Sequence, residues 1–281
     1  MINANDFKIS CSRIGRIMTE SKELSNPEKI ERLKADIKER RIKRSAIKEG
    51  LKSKATATQK IKSLLFDLRK MIESPNIPNL SKTAQTVCDE WIKEQIYQRR
   101  KEFTAKQTDK GNITESDGIE LIERFFNWGF AAKNSQQRSN DFMRGTCDIA
   151  MDNMIVDVKS AWDCFTFPLL ENELPELDYW WQLQGYMELW NKDNGMVCYV
   201  LMDMPHDMIE RELRFKLKDG YTKEEYDFYY SRYIYSNIPD KFRVKPFNVK
   251  RDESAKKAIE KRVFECRQYI ASKTNTAIFA D

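Results

Sequence analysis

Histidine is nearly absent from the sequence: His206 is the single histidine among 281 residues. This scarcity argues against catalysis by histidine and against His-rich metal centres. The six cysteines are widely spaced and form no C-x-x-C pair. That spacing argues against zinc or an iron–sulfur cluster and predicts reduced thiols in the cytosol. Because His206 follows Pro205 after an apolar stretch, we expect it in a surface loop.

Long apolar runs are also missing. No stretch approaches the roughly 20 apolar residues that a membrane-spanning helix needs. The first ten residues, MINANDFKIS, do not have the features of a secretory signal. Charged residues make up 33% and aromatic residues 11% of the chain, a composition typical of a soluble globular protein. We therefore expect a cytoplasmic protein, in the host cytoplasm if the chain is viral, with no membrane partner.

Positive charge is unevenly distributed along the chain. Residues 1–60 hold 16 Lys and Arg against 8 Asp and Glu, so residues 61–281 carry a net charge of −3 within an overall +5. A basic N-terminal stretch beside an acidic remainder suits a metal-dependent enzyme that acts on a polyanion. The same interleaved charges are also typical of an ordinary solvated helix face.

The segment from Gly145 to Lys159 reads GTCDIAMDNMIVDVK and predicts two strands joined by a tight turn. Two apolar runs, 147–151 and 154–158, flank the pair Asp152-Asn153, which favours a turn. Each run contains one acidic residue at a position where a strand core is normally apolar. The segment therefore combines a buried hairpin with two carboxylates, and burial of a carboxylate is unfavourable.

Those acidic residues are Asp148 and Asp157, and strand alternation places Lys159 on the same face as Asp157. Buried carboxylates need a partner, and a divalent metal ion is the natural one. The D/E-x-K spacing also occurs at 20–22 and 36–38, but both of those stretches have polar, helix-like surroundings. The structural alternative is a salt-bridged hairpin on a solvated sheet.

Two predicted helices flank the hairpin. Upstream, Lys110-Gly-Asn-Ile-Thr-Glu115 opens an amphipathic run that can present Glu115 to the same site. Glu120 lies five residues later and so points about 140° away at 100° per residue. Downstream, residues 179–190 have the composition of a buried helix and contain two glutamines, the first of which is Gln182.

These motifs occur in an order that resembles a known family. The series G-x3-E at 111–115, G-T-x-D at 145–148, hydrophobic-D-x-K at 156–159 and Q-x-Q-x-Y-M at 182–187 resembles the PD-(D/E)XK nucleases, particularly the phage lambda-exonuclease/YqaJ-like group. The resemblance covers about residues 9–12 and 82–201. This sequence departs from the family in having Cys147 where Pro is frequent and Asp157 where Glu is common.

The resemblance implies an α/β fold with a restriction-endonuclease-like core, in which helices flank a mixed central sheet. Residues 1–25 would form the N-terminal segment of that core, 26–80 a helical hairpin insertion with a linker, and 81–281 the nuclease core with C-terminal helices. In the insertion we expect helices over 26–50 and 58–73, with Asn26 as N-cap and Pro27 in the first turn. Its role as DNA contact, partner contact or bulk is left open.

For the chemistry, the resemblance implies a metal-dependent hydrolase of phosphodiester bonds. Asp148 and Asp157 would hold one or two Mg²⁺ ions, with Mn²⁺ as a substitute, because hard cations prefer oxygen ligands. Glu115 and the backbone carbonyl of Val158 would complete the metal ligands. Lys159 would orient or deprotonate the attacking water and offset charge.

Phosphate and DNA contacts are expected from Ser12, Arg13, Arg99, Arg100, Thr146 and Tyr186. By resemblance, Ser12 matches a serine that contacts a terminal phosphate and Thr146 a second phosphate-binding hydroxyl. Gln182 and Tyr186 match the Q-x3-Y helix that orients the lysine and the phosphate. From the residues alone, Ser12 and Arg13 suit phosphate binding near a helix N-terminus, although Ser12 can equally cap the turn. The arginine pair ends the helix expected over 82–100, which Ser81 would cap.

The resemblance also implies a biological setting, namely phage-type DNA recombination. Enzymes of this group are processive 5′→3′ exonucleases on double-stranded DNA ends, often form ring trimers, and act with a single-strand annealing protein. A RecB-like or structure-specific endonuclease would use the same residues. The non-enzymatic alternative is a DNA-binding protein that keeps a nuclease fold without turnover, and the intact Asp148, Asp157 and Lys159 weigh against it.

Overall fold

The computed structural model describes residues 2–49, 51–73, 78–101, 106–129, 131–217 and 220–275. Part of the predicted linker, 74–77, lies outside the described residues. The helices within them are α1 (Ile14–Met18), α2 (Asn26–Ser45), α3 (Lys52–Glu73), α4 (Lys82–Tyr97), α5 (Lys106–Phe126), α6 (Leu177–Trp190), α7 (His206–Lys216), α8 (Lys223–Ser231) and α9 (Glu253–Thr274). The strands are β1 (Ile9–Ser10), β2 (Arg138–Ser139), β3 (Met143–Gly145), β4 (Ile149–Ala150), β5 (Ile155–Ser160), β6 (Asn194–Val200) and β7 (Val244–Lys250).

The described strands form two mixed sheets. The larger has the order β4-β5-β6-β7, with β5 and β6 parallel and both outer pairings antiparallel. Parallel neighbours need a long crossover, and α6 lies within the connection from β5 to β6. The smaller sheet has the order β1-β3-β2 and pairs Ile9 with Met143 in parallel. The chemistry-bearing strand β5 is therefore a central strand.

The core of the larger sheet forms against α5. Central strands covered by helices become nearly continuous apolar runs, and the side chains of β6 from Gly195 to Val200 are buried. Apolar residues of α5 such as Ile119 and Ile122 pack in one cluster with Val156 and Val200. This packing fixes α5 against β5, which carries Asp157 and Lys159.

The predicted helical hairpin is present as α2 and α3. Ser25, rather than Asn26, caps α2, because its Oγ accepts the Glu28 N–H while Glu28 Oε2 accepts the Ser25 N–H at 2.7 Å. This reciprocal pair is a capping box. Arg44 Nε donates to Thr58 Oγ1 at 2.7 Å and ties the two helices together. The second helix begins at Lys52, earlier than the predicted start at 58.

Helix α4 begins as predicted, since Ser81 Oγ accepts the Ala84 N–H at 3.0 Å. Its end differs from the prediction: the helix stops at Tyr97, and Gln98 takes a left-handed conformation with φ of 52°. A residue in this conformation is a common helix terminator. Arg99 and Arg100 therefore lie beyond the helix, both exposed, and not in its last turn.

The chain divides into two compact units. One contains the N-terminal residues through Phe7, the stretch Ile17–Arg99 and the residues from Arg262 onward. Within it, Phe7 packs edge-on against Trp91 with ring centroids 5.5 Å apart. The other contains Lys8–Arg16 and Arg100–Lys261, including both sheets. The boundaries predicted from the sequence, after residues 25 and 80, remain a prediction.

The predicted fold class is confirmed as mixed α/β with helices flanking mixed sheets. The expected single central sheet is divided into two. His206 was expected in a loop but is the first residue of α7, where its side chain is exposed and Nδ1 lies 3.2 Å from the Tyr230 hydroxyl. No described helix combines the length and apolar character needed to cross a bilayer.

Candidate active site

The site is built on β5, which carries Asp157 and Lys159 two residues apart. Lys159 Nζ lies 2.8 Å from Asp157 Oδ2, so the two side chains share a face as strand alternation predicts. Asp157 is 1% exposed, whereas the Lys159 side chain retains 21% of its exposure. The lysine side chain is thus partly exposed, whereas its carboxylate partner is enclosed.

Asp157 has one satisfied and one unsatisfied oxygen. Its Oδ1 accepts a hydrogen bond from Gln182 Nε2 at 3.0 Å. Its Oδ2 is buried and accepts no hydrogen bond from the described residues, and it forms an ion pair with Lys159 Nζ at 2.8 Å. A buried carboxylate oxygen left without a hydrogen bond is costly. This oxygen is a suitable ligand for a cation.

Helix α6 places Gln182 between the two charged groups. Gln182 Oε1 accepts from Lys159 Nζ at 3.2 Å, and Nε2 donates both to Asp157 and to the Tyr186 hydroxyl at 3.1 Å. Tyr186 lies one turn further along the same helix face, which brings its hydroxyl within hydrogen-bond distance of Gln182. The predicted Q-x3-Y pair is therefore assembled around the lysine and the aspartate.

Tyr179 is a site residue that the sequence prediction missed. Lys159 Nζ lies 4.4 Å from the centroid of its ring, a cation–π contact. Burial, the largest cause, raises the pKa of Tyr179, so the phenol stays neutral. Its position three residues before Gln182 puts it on the same helix face. This three-residue spacing from Gln182 is the sequence feature that could have identified Tyr179 as a site residue.

The charge state of Lys159 follows from its neighbours. Burial alone would lower the pKa of the ammonium, but the charge of Asp157 and its contact with the lysine overcome that effect and raise the pKa above its ordinary value. Lys159 is therefore a cation at neutral pH. This favours orientation of water and neutralisation of charge over the deprotonation of water.

Asp148 lies directly before β4 and faces the same region. Its Oδ2 accepts the Val158 backbone N–H at 2.6 Å. Burial, followed by the nearby charge of Asp157, raises the pKa of Asp148 to about 7, while the Val158 amide and Lys159 act in the opposite direction. The charge of Asp157 raises the pKa of Asp148 because the two carboxylates lie in one site. The Val158 N–H thus donates to Asp148. Metal binding by the Val158 carbonyl stays a prediction.

Glu115 lies on α5 on the side facing these carboxylates, and its charge contributes to the raised pKa of Asp148. Its Oε2 accepts from Lys133 Nζ at 2.8 Å. Among the described residues, no three His, Cys, Asp or Glu side chains are grouped closely enough to hold a metal ion. Glu115 is thus close to the site but engaged by Lys133.

The donor set nevertheless fits a hard divalent cation. Mg²⁺ is commonly held by one or two carboxylates and keeps several waters. Asp148 and Asp157 supply that pair, and the unsatisfied Asp157 Oδ2 is a ready oxygen ligand. The observed donors therefore suit Mg²⁺ better than zinc, which prefers sulfur and nitrogen ligands.

The segment with Ser12 approaches the site through a close backbone contact. Ser12 is exposed, with its hydroxyl 3.0 Å from that of Ser10. A Cβ built on Gly145 would lie 2.9 Å from Cys11 Sγ and 2.7 Å from Tyr186 Cε1, so only glycine permits this approach. The segment, β3 and α6 therefore meet at this point.

The structure gives the positions of the other residues predicted to contact phosphate or DNA. Thr146 is half-buried between β3 and β4, next to Gly145. Arg13 is half-buried in the 3-10 turn Cys11–Arg13. The exposed pair Arg99 and Arg100 follows α4. Their predicted contacts with phosphate or DNA stay predictions.

The two glutamates of α5 give a test of helix phase. Glu120 is exposed, whereas Glu115 is half-buried beside Lys133. With DNA as the substrate that the sequence resemblance implies, we expect Glu115→Gln to lower kcat about a hundredfold or more, because it removes a predicted metal ligand. Glu120→Gln is the matched control and should leave kcat unchanged. The reverse pattern in steady-state kinetics would show that the helix phase is wrong.

Comparison with known proteins supports the fold assignment. No protein-family model and no curated protein matches the sequence. A phage-related exonuclease from Haemophilus somnus 129PT has a similar structure, with a TM-score of 0.62, 23% identity and 95% of each chain covered. An alkaline exonuclease from Laribacter hongkongensis has a TM-score of 0.50 and 11% identity, covering 69% of this chain and 82% of that chain. This chain therefore has the fold of these exonucleases, which is the fold that its motifs predict.

Proposed function

We propose that the protein is a metal-dependent deoxyribonuclease that hydrolyses phosphodiester bonds. The observation that carries the proposal is the cluster of Asp148, Asp157, Lys159 and Gln182. It contains a buried carboxylate oxygen without a hydrogen bond, a second carboxylate close by, and a partly exposed lysine that is ion-paired with the first carboxylate. Hydrolysis of a phosphodiester needs an oriented water and neutralisation of negative charge in the transition state. The cluster offers groups for both tasks.

A bound Mg²⁺ ion, with Mn²⁺ as a substitute, would supply Lewis-acid stabilisation of the phosphate and a more acidic bound water. Asp148 and Asp157 would hold it. Glu115 and the Val158 carbonyl are the further ligands we propose. To bind the metal, Glu115 would give up its contact with Lys133. Removal of divalent metal with EDTA should stop hydrolysis.

The protein's own groups would orient the reactants. Lys159 is held from three directions by Asp157, Gln182 and the Tyr179 ring. A fixed ammonium can donate to the attacking water or to a phosphate oxygen without reorganisation during the reaction. Ser12 would contribute a hydroxyl to a phosphate at the edge of the site. Gln182 would keep the lysine aligned.

We further propose a 5′→3′ exonuclease that acts on double-stranded DNA ends in phage-type recombination. The support is the fold likeness, over 95% of both chains, to a phage-related exonuclease. The setting we propose includes a ring trimer and a single-strand annealing partner. The competing proposals are an endonuclease with the same cluster and a DNA-binding protein without turnover.

A comparison of linear and covalently closed circular duplex DNA, each with Mg²⁺ and with EDTA, tests the proposal. We expect degradation of the linear duplex alone, and only with Mg²⁺. Strand-specific end labels then report polarity, with loss of the 5′-labelled nucleotide first. Cleavage of the closed circle would identify an endonuclease, and DNA binding without cleavage of either form would identify the non-catalytic alternative.

The α2–α3 hairpin offers a second candidate DNA contact. A cavity of about 340 Å³ is lined by residues of both helices, among them Arg40, Lys43, Arg44 and Lys60. No acidic side chain is part of this lining. Ion pairs with Asp36 and Glu39 already engage two of these cations. The alternative is that the hairpin docks another protein or protomer.

We expect the double substitution of Lys43 and Lys60 by glutamine to weaken DNA binding. Each lost phosphate contact should reduce the slope of log affinity against log salt by about 0.9. The matched control replaces Lys34 and Lys62, which lie on the same helices outside the cavity. If slope and affinity stay constant while the oligomer mass changes, the hairpin is a docking element.

A further inference from the structure

A fully buried lysine lies close to the site and is not used by the chemistry above. Lys110 on α5 has no exposed surface, and its Nζ donates to the carbonyls of Ala161 at 2.8 Å and Trp162 at 3.0 Å. Burial lowers the pKa of the ammonium to about 8, an effect that the charges of Asp163 and Asp203 only partly oppose. Burying such a group is costly unless its hydrogen bonds are made.

A second side chain of α5 acts on the same stretch of chain. Thr114, one turn after Lys110, donates its hydroxyl to the Lys110 carbonyl and lies 2.9 Å from Ser160 Oγ. On the other side, the Ala161 N–H donates to the Val200 carbonyl. Side chains of α5 therefore contact three consecutive residues, 160–162, which directly follow Lys159.

The position of these bonds at a strand end explains why they matter. Strand β5 ends at Ser160, so the carbonyls of Ala161 and Trp162 lie beyond its last paired residue. A buried carbonyl without a donor is unfavourable. Lys110 satisfies both carbonyls at once and so fixes how the chain leaves the sheet. Glu115 lies on the same helix, which links its position to the end of β5.

We infer that Lys110 is a positioning residue: by holding the Ala161 and Trp162 carbonyls, it fixes the end of β5 and thereby the placement of Lys159 against Asp157 and Gln182. This inference rests on the proposed nuclease function for its kinetic consequence. Its structural consequence is that the segment after Lys159 is held in place, and this consequence does not depend on the proposed function. The alternative is that Lys110 only contributes to the stability of the fold.

The test compares Lys110→Met, which keeps most of the length of the side chain and removes its donors, with Lys106→Met. Lys106 lies one turn earlier on α5, is exposed and pairs with Glu212. With Mg²⁺ and linear duplex DNA, we expect Lys110→Met to lower kcat about a hundredfold, because small displacements of catalytic groups have effects of this size. The KM for DNA should stay within about twofold, since positioning acts on the chemical step.

Amide hydrogen exchange of the same full-length proteins gives the second readout. We expect residues 160–163 to exchange faster in Lys110→Met, while Lys106→Met matches the wild type in both exchange and kcat. Lys110→Gln keeps an amide donor one bond shorter and should recover part of kcat. The inference would be overturned if Lys110→Met lowered kcat/KM through KM alone. It would also be overturned if both kcat and exchange were unchanged.

Two further results separate this inference from the proposed function. If wild-type protein does not hydrolyse DNA, the proposed function fails, and exchange at 160–163 alone decides whether Lys110 fixes the segment. If Lys110→Met does not fold, Thr114→Val removes the neighbouring contact with Ser160 and should act in the same direction with a smaller effect. A Thr114→Val protein with wild-type kcat and exchange would then contradict the inference.

Discussion

Replacement of Asp157 by asparagine should lower kcat on linear DNA by about a thousandfold or more while leaving the fold intact. Asparagine has nearly the same shape, and its carbonyl can still accept from Gln182. The substitution removes the negative charge, the unsatisfied Oδ2 and the ion pair with Lys159. Losing a metal ligand or an equivalent transition-state contact costs several kcal/mol, which corresponds to that factor. Asp157→Ala should have an effect at least as large.

The measurement pairs kcat with thermal unfolding and metal titration. Removing one partner of a buried ion pair is destabilising, so the Tm of Asp157→Asn should fall while the fold is retained, and its affinity for Mg²⁺ should fall as well. Asp152→Asn is the matched control, because Asp152 lies exposed in the turn between β4 and β5. Retention of more than about a tenth of wild-type kcat by Asp157→Asn would refute its assignment as a metal ligand.

The β4–β5 hairpin and its site were predictable because their determinants are local. The turn-prone Asp152-Asn153 pair and the apolar runs around it define the hairpin, and Met151 N–H donates to the Met154 carbonyl across that turn. Period-2 alternation then decides which side chains share a face with Asp157. Family resemblance singled out Gln182 and Tyr186, and their four-residue helical spacing brings the two side chains into contact.

The starts of α3 and α5 could not be read from the sequence because packing outweighs local preference. The predicted helix opened near Gly111, a residue that costs about 1 kcal/mol relative to alanine inside a helix. In the structure α5 begins at Lys106 and passes through Gly111, and the bonds of Lys110 lie in that added turn. For α3, the stretch 52–57 lacks apolar periodicity, so only its helix propensity signalled it.

The division of the sheet and the engagement of Glu115 depend on contacts between distant parts of the chain. Pairing of Ile9 with Met143 creates the smaller sheet across more than 130 residues, and no local pattern specifies such a partner. Likewise, the pairing of Lys133 with Glu115 follows from the bridge that Lys133 makes with Ile149. The sequence motifs pointed to Glu115 as a site residue but gave no sign of Lys133 or of these pairings.

Replacement of Lys159 by methionine should also lower kcat by about a thousandfold, but with the opposite effect on metal binding. Methionine keeps most of the apolar length of the side chain and removes its charge. The loss of a fixed ammonium removes stabilisation of the transition-state charge, which accounts for the fall in kcat. Lys159→Ala should be at least as damaging, because it also removes contact with the Tyr179 ring.

Metal titration distinguishes Lys159 from a ligand. In the structure the ammonium is the cation next to Asp157 Oδ2, so its removal leaves the carboxylates with less positive charge nearby. We therefore expect Lys159→Met to bind Mg²⁺ at least as tightly as wild type, whereas Asp157→Asn binds it more weakly. Lys192→Met is the matched control, since Lys192 is half-buried outside the site and its Nζ donates to the Asp152 carbonyl. If Lys159→Met lost metal affinity along with kcat, its effect would arise from disruption of the carboxylate site and not from loss of a catalytic cation.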